Sequence, residues 1–186
     1  AIWPHEKYLN IWLMSETKYP KFWNSITKLC VPKYRLGSET LPGLSLPPVP
    51  STWVPKVEQI GILFRMSTFQ YFQRSIDATA ERELVTCIGN YLGLLDTWKI
   101  NNSNVNDQCN DTFAYGIVNN NGSLGTNSSW SKEVGSYRFL SENIMDDPTG
   151  THRSVSKDQA LRMYWVLKNC AGRSMWQSDF ALTGKE

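Results

Sequence analysis

The clearest hydrophobic pattern in the chain runs from about Ala78 to Trp98 and predicts an amphipathic helix. At about 100° per residue, its large apolar side chains fall on one half of the helical wheel. These side chains are Leu84, Val85, Cys87, Ile88, Tyr91, Leu92, Leu94, Leu95 and Trp98. The other half carries polar and small residues, and Asp77 stands at the position of an N-cap. We therefore expect one half of this helix to face the core.

A second helix is predicted to begin at Ser156, because Gln159 follows three residues later in a capping-box arrangement. Gly172 is its predicted end, since a glycine often takes the position just after a helix. The apolar arc that should pack into the core consists of Ala160, Met163, Tyr164, Val166, Leu167 and Cys170.

The first part of the chain also favours helices. Pro4 precedes Tyr8, Leu9, Trp12 and Leu13, and Pro20 precedes Phe22, Trp23, Ile26, Leu29 and Cys30, both at helical spacing. Residues 57–76 are apolar without a clear period: the alternation of Ile60, Ile62, Phe64 and Met66 suits a strand, whereas Ile60, Phe64 and Tyr71 suit a helix. The length of this segment favours a buried helix.

Two segments lack a helical pattern. Residues 31–55 contain six prolines interleaved with apolar side chains, which predicts an extended arm that lies on a surface. Residues 101–133 are rich in Asn, Gly and Ser and predict a long polar loop. Within this loop Phe113, Tyr115, Ile117 and Val118 suit one short strand, and Tyr137, Phe139 and Leu140 are its candidate partner in a small β-hairpin.

The predicted fold is mainly α, a single-domain helical bundle over residues 1–186. Its parts are the N-terminal helices (1–30), the proline-rich arm (31–55), the core helices (56–100), the polar loop (101–133) and the C-terminal helix and tail (134–186). Charged residues make up 19% of the chain, below the usual share, while Trp, Tyr and Phe number 8, 8 and 7. This composition favours a subunit with apolar contacts, and no apolar run is long enough to predict a membrane span.

One loop contains residues that could do chemistry. Asp146, Asp147 and His152 put two carboxylates and an imidazole within a few residues, which would suit a hard metal ion or acid–base catalysis. The same stretch contains Asp-Pro and Thr-Gly pairs, which are turn formers, so a structural turn is favoured. The chain has no G-x-S-x-G, P-loop or G-x-G-x-x-G motif. We therefore predict no enzyme activity, no cofactor and no metal.

The cysteines and the glycosylation sequons point in different directions. No C-x-x-C pair occurs among the four cysteines, which are Cys30, Cys87, Cys109 and Cys170. Cys87 and Cys170 are predicted to lie on apolar helix faces, which favours reduced thiols in an intracellular or virion setting. N-x-Ser/Thr sequons begin at Asn101, Asn110, Asn121 and Asn127, as in a secreted glycoprotein, although an Asn- and Ser-rich loop also produces this pattern by chance.

Two surfaces are candidate contacts. Gly89 and Gly93 lie one turn apart on the polar half of the first strong helix and would let a partner approach closely, together with Leu44, Leu46 and Trp53 of the arm. The second helix carries basic residues around an indole, which suits phosphates and a stacked base of single-stranded nucleic acid, although a solvated helix face is the ordinary alternative. These candidate nucleic-acid contacts are Arg153, Lys157, Arg162, Trp165, Lys168 and Arg173.

The function predicted from these features is a non-enzymatic, self-assembling structural subunit of coat type that packages single-stranded nucleic acid. Its first partner would be copies of itself, because abundant aromatic residues and doubly apolar helices suit surfaces buried between subunits. The net charge of +2 speaks against generic RNA binding. The alternatives are a secreted, N-glycosylated binding module with two disulfides and an enzyme that uses the Asp146, Asp147 and His152 loop.

Overall fold

The computed structural model describes residues 3–4, 7–14, 28–30, 61–66, 78–100, 105–117, 131–134, 137–147, 152–169, 173 and 175. In chain order these form β1 (Asn10–Met14), β2 (Lys28–Cys30), β3 (Gly61–Arg65), α1 (Ala78–Tyr91), β4 (Trp98–Ile100), β5 (Tyr115–Ile117), β6 (Ser131–Val134), β7 (Tyr137–Leu140) and α2 (Lys157–Asn169). The arm with Leu44, Leu46 and Trp53 lies outside these residues, as do Pro20, Asn101, Asn121, Asn127 and Cys170. The mainly helical class and the single domain stay predictions.

Strands replace parts of all three predicted helices in the N-terminal half. Leu29 and Cys30, expected in the helix after Pro20, lie in β2. β1 and β3 pair in parallel and β2 pairs antiparallel with β3, which gives a sheet of order β1-β3-β2. After Pro4 the amides of Lys7 and Tyr8 donate to the Pro4 carbonyl, and Trp12, expected in a helix, lies in β1. The expectation of a buried helix over residues 57–76 is wrong at 61–65, where the alternation of apolar residues forms β3.

The sheet and α1 share the apolar core of the described chain. Ile62 and Phe64 project from one face of β3, because alternate residues of a strand point the same way, and both are buried. Cys87 and Tyr91 from the predicted apolar half of α1 belong to the same buried cluster. The prediction that this half of the helix faces a core is therefore confirmed for these residues.

The helix α1 ends at Tyr91 rather than at Trp98, and Gly93 explains why. Gly93 has φ 88°, in the left-handed region that a residue without a Cβ adopts at little cost. The amide of Leu94 donates to the Gly89 carbonyl (2.9 Å) and the amide of Gly93 donates to the Asn90 carbonyl (2.9 Å). This Schellman arrangement caps the helix, so Gly93 terminates α1 instead of extending a stripe with Gly89.

The polar half of α1 is covered by the same chain. Thr86 and Gly89 are buried there. A Cβ on Gly89 would lie 2.5 Å from the Met145 sulfur, so the close neighbour that this glycine admits is Met145. The predicted intersubunit stripe of Gly89 and Gly93 is corrected accordingly: one glycine packs inside the chain and the other caps the helix.

Two small sheets follow α1. β4 and β5 pair in parallel, and β6 and β7 pair antiparallel. The expected strands around Tyr115 and Phe139 are confirmed, but the expected hairpin between them is wrong because each strand has a different partner. The ring of Phe139 instead contacts the rings of Tyr115 and Phe113, with centroids 5.4 Å and 4.5 Å apart.

The helix α2 begins with the predicted capping box. The Gln159 amide donates to the Ser156 hydroxyl (3.2 Å), and the Ser156 amide donates to the Gln159 side-chain oxygen (3.0 Å). Its buried face differs from the predicted apolar arc. Gln159, Arg162 and Val166 are buried, whereas Ala160 and Tyr164 are exposed. No helix among the described residues is long and apolar enough to cross a membrane.

Candidate functional site

A cavity of about 380 Å³ lies beside the N-terminus of α2. Four segments distant in sequence line it: the residue before β4, the turn before β5, the end of β7 with the chain that follows, and the approach to α2. Its apolar wall consists of Phe113, Phe139, Leu140 and Val155. Phe113, Leu140 and Val155 are exposed, Leu140 to 66%, so the wall presents apolar surface to solvent.

Asp146 forms the buried polar side of the cavity and is only 2% exposed. The Thr97 hydroxyl donates to Oδ1 of Asp146 over 2.9 Å. Oδ2 of Asp146 is buried and has no hydrogen-bond partner among the described residues. A buried carboxylate oxygen without a donor costs free energy, because it has given up water and gained nothing in return.

Asp111 lines the cavity at the start of α2. Its carboxylate accepts hydrogen bonds from the Ser156 hydroxyl (2.6 Å) and the Asp158 amide (2.9 Å). The hydrogen bond from Ser156, followed by that from Asp158, lowers the pKa of Asp111 below its usual value. A carboxylate at this position also complements the positive end of the helix dipole.

The contribution of Asp111 should therefore depend on pH. A carboxyl group whose pKa is lowered in the folded state stabilises the protein above its unfolded pKa, and this contribution is lost as the pH falls through the folded pKa. We expect Asp111→Asn to lower the thermal unfolding midpoint at neutral pH and to converge with the unmodified protein below the ordinary pKa of 3.8. Thermal unfolding of both proteins across this pH range is the measurement, and a constant difference at every pH would contradict it.

The described residues of the Asp146, Asp147 and His152 loop are buried and hydrogen-bonded to other parts of the chain. Nε2 of His152 donates to the Asp147 carbonyl (3.0 Å), while Nδ1 lies 3.2 Å from the Thr86 hydroxyl on α1. The Tyr115 hydroxyl donates to Oδ2 of Asp147 (2.8 Å). Burial, reinforced by the Asp146 and Asp147 charges, raises the pKa of Tyr115. These contacts tie the loop to α1 and β5 and hold His152 at the uncommon φ of 53°.

The three groups of this loop do not face a common space. Asp146 lines the cavity, whereas Asp147 and His152 are among the residues that hold the loop in place. Among the described residues, no cluster of three His, Cys, Asp or Glu side chains could hold a metal ion. In the part of the chain that the structure describes, Asp147 and His152 therefore do not join Asp146 at the cavity, so the acid–base group expected from this loop is not assembled there. The absence of enzyme activity stays a prediction.

The predicted basic face of α2 is divided between surface and interior. Arg162 is only 6% exposed, and its Nε donates to the Gly93 carbonyl over 2.6 Å. Burial lowers the pKa of Arg162. Arg173 is fully buried, with its guanidinium 5.0 Å from the centre of the Tyr91 ring.

The other predicted nucleic-acid contacts are nearer the surface. Arg153, Lys157 and Lys168 are exposed, and Trp165 is half-buried. Since Arg162 and Arg173 are buried inside the chain, they are not the solvent-facing cations that a phosphate would meet. The expected cluster of five cations around one indole is corrected to three exposed cations.

Cys87 and Cys109 are free thiols. Cys87 is buried in the core, and burial, followed by the Asp107 charge, raises the pKa of Cys109 to about 11. A thiol with such a pKa is a weak nucleophile at neutral pH, because little thiolate is present. In the secreted alternative, two disulfides would use all four cysteines, including Cys87 and Cys109. Asn110 of one sequon is exposed in the turn before β5.

Several cavity residues have no signal in the sequence. Asp111 falls inside a sequon, Thr97 inside the predicted helix, and Glu142 and Phe113 in segments without a motif. These residues come together only in the folded chain, so no pattern in the sequence identifies them as one site. The chain matches no protein-family model and shows no significant similarity to any curated protein or solved structure, and its function is therefore inferred from the geometry alone.

Proposed function

We propose that this protein is a non-enzymatic, self-assembling structural subunit. The observation that carries this proposal is a row of side chains along the exposed face of α2, which we call the α2 stripe: Lys157, Leu161, Tyr164 and Lys168. Spacings of four, three and four residues place all of them on one side of the helix. Leu161 is 57% exposed and Tyr164 is 54% exposed.

The stripe resembles a contact surface more than an ordinary solvated face. Two large apolar side chains adjoin at its centre and a lysine stands at each end, an apolar middle with a polar rim as in protein interfaces. Tyr is also among the residues enriched where proteins meet. An isolated exposed apolar residue would need no explanation, but neighbouring ones on a helix favour association.

The sheet offers a second apolar edge. β1 is an outer strand of the described sheet, and its Ile11 and Leu13 are exposed. Outer strands with apolar side chains invite pairing with another chain, since their backbone groups are available on one side. The proposal is limited to assembly, because the burial of Arg162 and Arg173 removes two of the cations on which nucleic-acid packaging rested.

The test replaces the centre of the α2 stripe. We expect Leu161→Gln combined with Tyr164→Gln to weaken self-association at least about tenfold, because each buried side chain of this size contributes roughly 1.5–3 kcal/mol at an interface. Both positions are exposed, so the monomer should keep its stability within about 0.5 kcal/mol. Sedimentation velocity over a concentration series measures the association, and denaturant unfolding measures the stability.

Met66→Ser is the matched control, since Met66 is an exposed apolar residue (36%) outside both α2 and β1. It should leave association unchanged. An unmodified protein that stays monomeric at every concentration would refute the proposal. A double variant that associates like the unmodified protein would show that the stripe is not the contact.

A further inference from the structure

We infer that the cavity beside the N-terminus of α2 binds a primary ammonium group. Three of the residues that line it are acidic, namely Asp111, Glu142 and Asp146, and no Lys, Arg or His is among the described lining residues. A concave site lined by carboxylates of one sign concentrates a negative potential, which favours a cationic ligand. This inference does not depend on self-assembly.

Asp146 is the observation that separates this site from an ordinary acidic surface. It is 98% buried (2% exposed), and its Oδ2 has no hydrogen-bond partner among the described residues. Such an oxygen is costly until a donor reaches it, and a positively charged donor offsets the cost best. Because Oδ2 is also shielded from water, a small movement of the side chain accompanies the binding that we propose.

The surroundings of Asp146 favour ammonium over guanidinium. Its Oδ1 already accepts from the Thr97 hydroxyl, and Oδ2 is the oxygen that lacks a donor. A guanidinium binds carboxylates best through two parallel hydrogen bonds, which require both oxygens. An ammonium is a compact charge that needs one strong acceptor and finds further ones in its surroundings, such as Glu142 and the hydroxyl of Ser154 on the same cavity wall.

The apolar wall suits the carbon chain that carries the ammonium. Phe113, Phe139, Leu140 and Val155 line the same cavity of about 380 Å³, which is large enough for a short alkyl chain. The rings of Phe113 and Phe139 are 4.5 Å apart, and aromatic faces attract cations. The ligand is thus a primary alkylammonium, either a free amine or the side chain of a lysine from another copy of this chain.

The experiment titrates the unmodified protein with n-butylammonium chloride and follows the cavity resonances by NMR. Saturable binding is expected, with n-butylguanidinium and n-butanol binding at least about tenfold more weakly, because they lack a matching charge geometry or the charge itself. Asp146→Asn should also weaken n-butylammonium binding at least about tenfold. Glu81→Gln is the matched control, since Glu81 is an exposed acid that does not line the cavity.

A second readout protects the test from a folding defect. Since Asp146→Asn removes a buried oxygen without a donor, its thermal midpoint without ligand should be unchanged or higher. Should this variant fail to fold, Glu142→Gln at an exposed cavity residue should weaken binding about two- to fivefold. Absence of saturable binding would overturn the inference. The inference would also be overturned if Asp146→Asn or Glu142→Gln bound n-butylammonium as tightly as the unmodified protein does.

Sedimentation in the presence of n-butylammonium separates the two sources of the ligand. If a lysine of another copy normally occupies the cavity, the amine dissociates the assembly and Asp146→Asn assembles poorly. If the natural ligand is a free amine, the amine binds and the sedimentation coefficient stays the same. Both results support the ammonium site. If the unmodified protein proves monomeric at every concentration, the free amine is the source that remains, and the binding test with n-butylammonium is unaffected.

Discussion

Arg162→Ala should lower the free energy of unfolding by about 2–4 kcal/mol, because a charge-assisted hydrogen bond and the packing of a buried side chain are lost together. The Arg162 Nε donates to the carbonyl of Gly93, two residues after α1 ends at Tyr91. This bond joins α2 to the end of α1, and the truncation leaves a buried carbonyl without its donor and a space where the side chain lay. Urea unfolding followed by circular dichroism measures the loss.

Lys168→Ala is the matched control on the same helix, because Lys168 is exposed and its removal should change stability by less than about 0.5 kcal/mol. The comparison also decides the role of Arg162. If Arg162 faces solvent and contacts phosphate, Arg162→Ala should lower the free energy of unfolding as little as Lys168→Ala does. If Arg162 joins the two helices in the interior, the loss should be much larger. Equal stabilities for the two variants would show that Arg162 is not a buried junction and would support its predicted place on the basic face of α2.

Gly61→Ala is expected to cost about 3 kcal/mol, at the upper end of the usual range for overpacking. Gly61 stands opposite Asn10 in the parallel pair of β1 and β3. A Cβ at this position would overlap the Asn10 carbonyl oxygen and the ring of Trp12. Backbone atoms cannot move aside without breaking the strand pairing, so β1 should separate from β3. Denaturant unfolding and faster amide exchange in β1 are the measurements.

Gly89→Ala provides the contrast, because its new Cβ would meet the Met145 side chain rather than backbone. A methionine can adopt another rotamer, and alanine gains roughly 1 kcal/mol over glycine within a helix. The two effects oppose each other, so the net change should stay within about 1 kcal/mol. A loss at Gly89 as large as that at Gly61 would show that the packing around Met145 is rigid.

The features predicted correctly from the sequence depend on residues close together in the chain. The capping box needs only Ser156 and Gln159, three positions apart, and it begins α2 as expected. The apolar half of α1 follows from a period that a single helix sets by itself. The short strand at Tyr115 is recognisable from its own composition, although its partner β4 is not.

The candidate site could not be predicted because its parts come from separate segments. Asp146 was singled out for its neighbours in sequence, Asp147 and His152, yet its place in the cavity depends on Thr97 and on the turn before β5. No pattern of neighbouring residues predicts which carboxylates line one cavity or which carboxylate oxygen lacks a hydrogen-bond donor. The helical pattern places both Leu161 and Arg162 opposite the predicted apolar arc, yet Leu161 is exposed and Arg162 is buried.

By itself, then, the sequence determined that α1 and α2 form, how α2 begins and which half of α1 meets the apolar core, because these depend on local hydrogen bonds and periodicity. Only the tertiary structure decided that residues 61–65 form a strand, since β1 and β2 supply the hydrogen bonds that a helix would have made within itself. It also decided that Arg162 is buried, because the carbonyl of Gly93 satisfies its charge-bearing donor inside the protein. A polar residue can occupy an interior position when another segment brings its partner, and the order of residues along the chain does not show which segment that is.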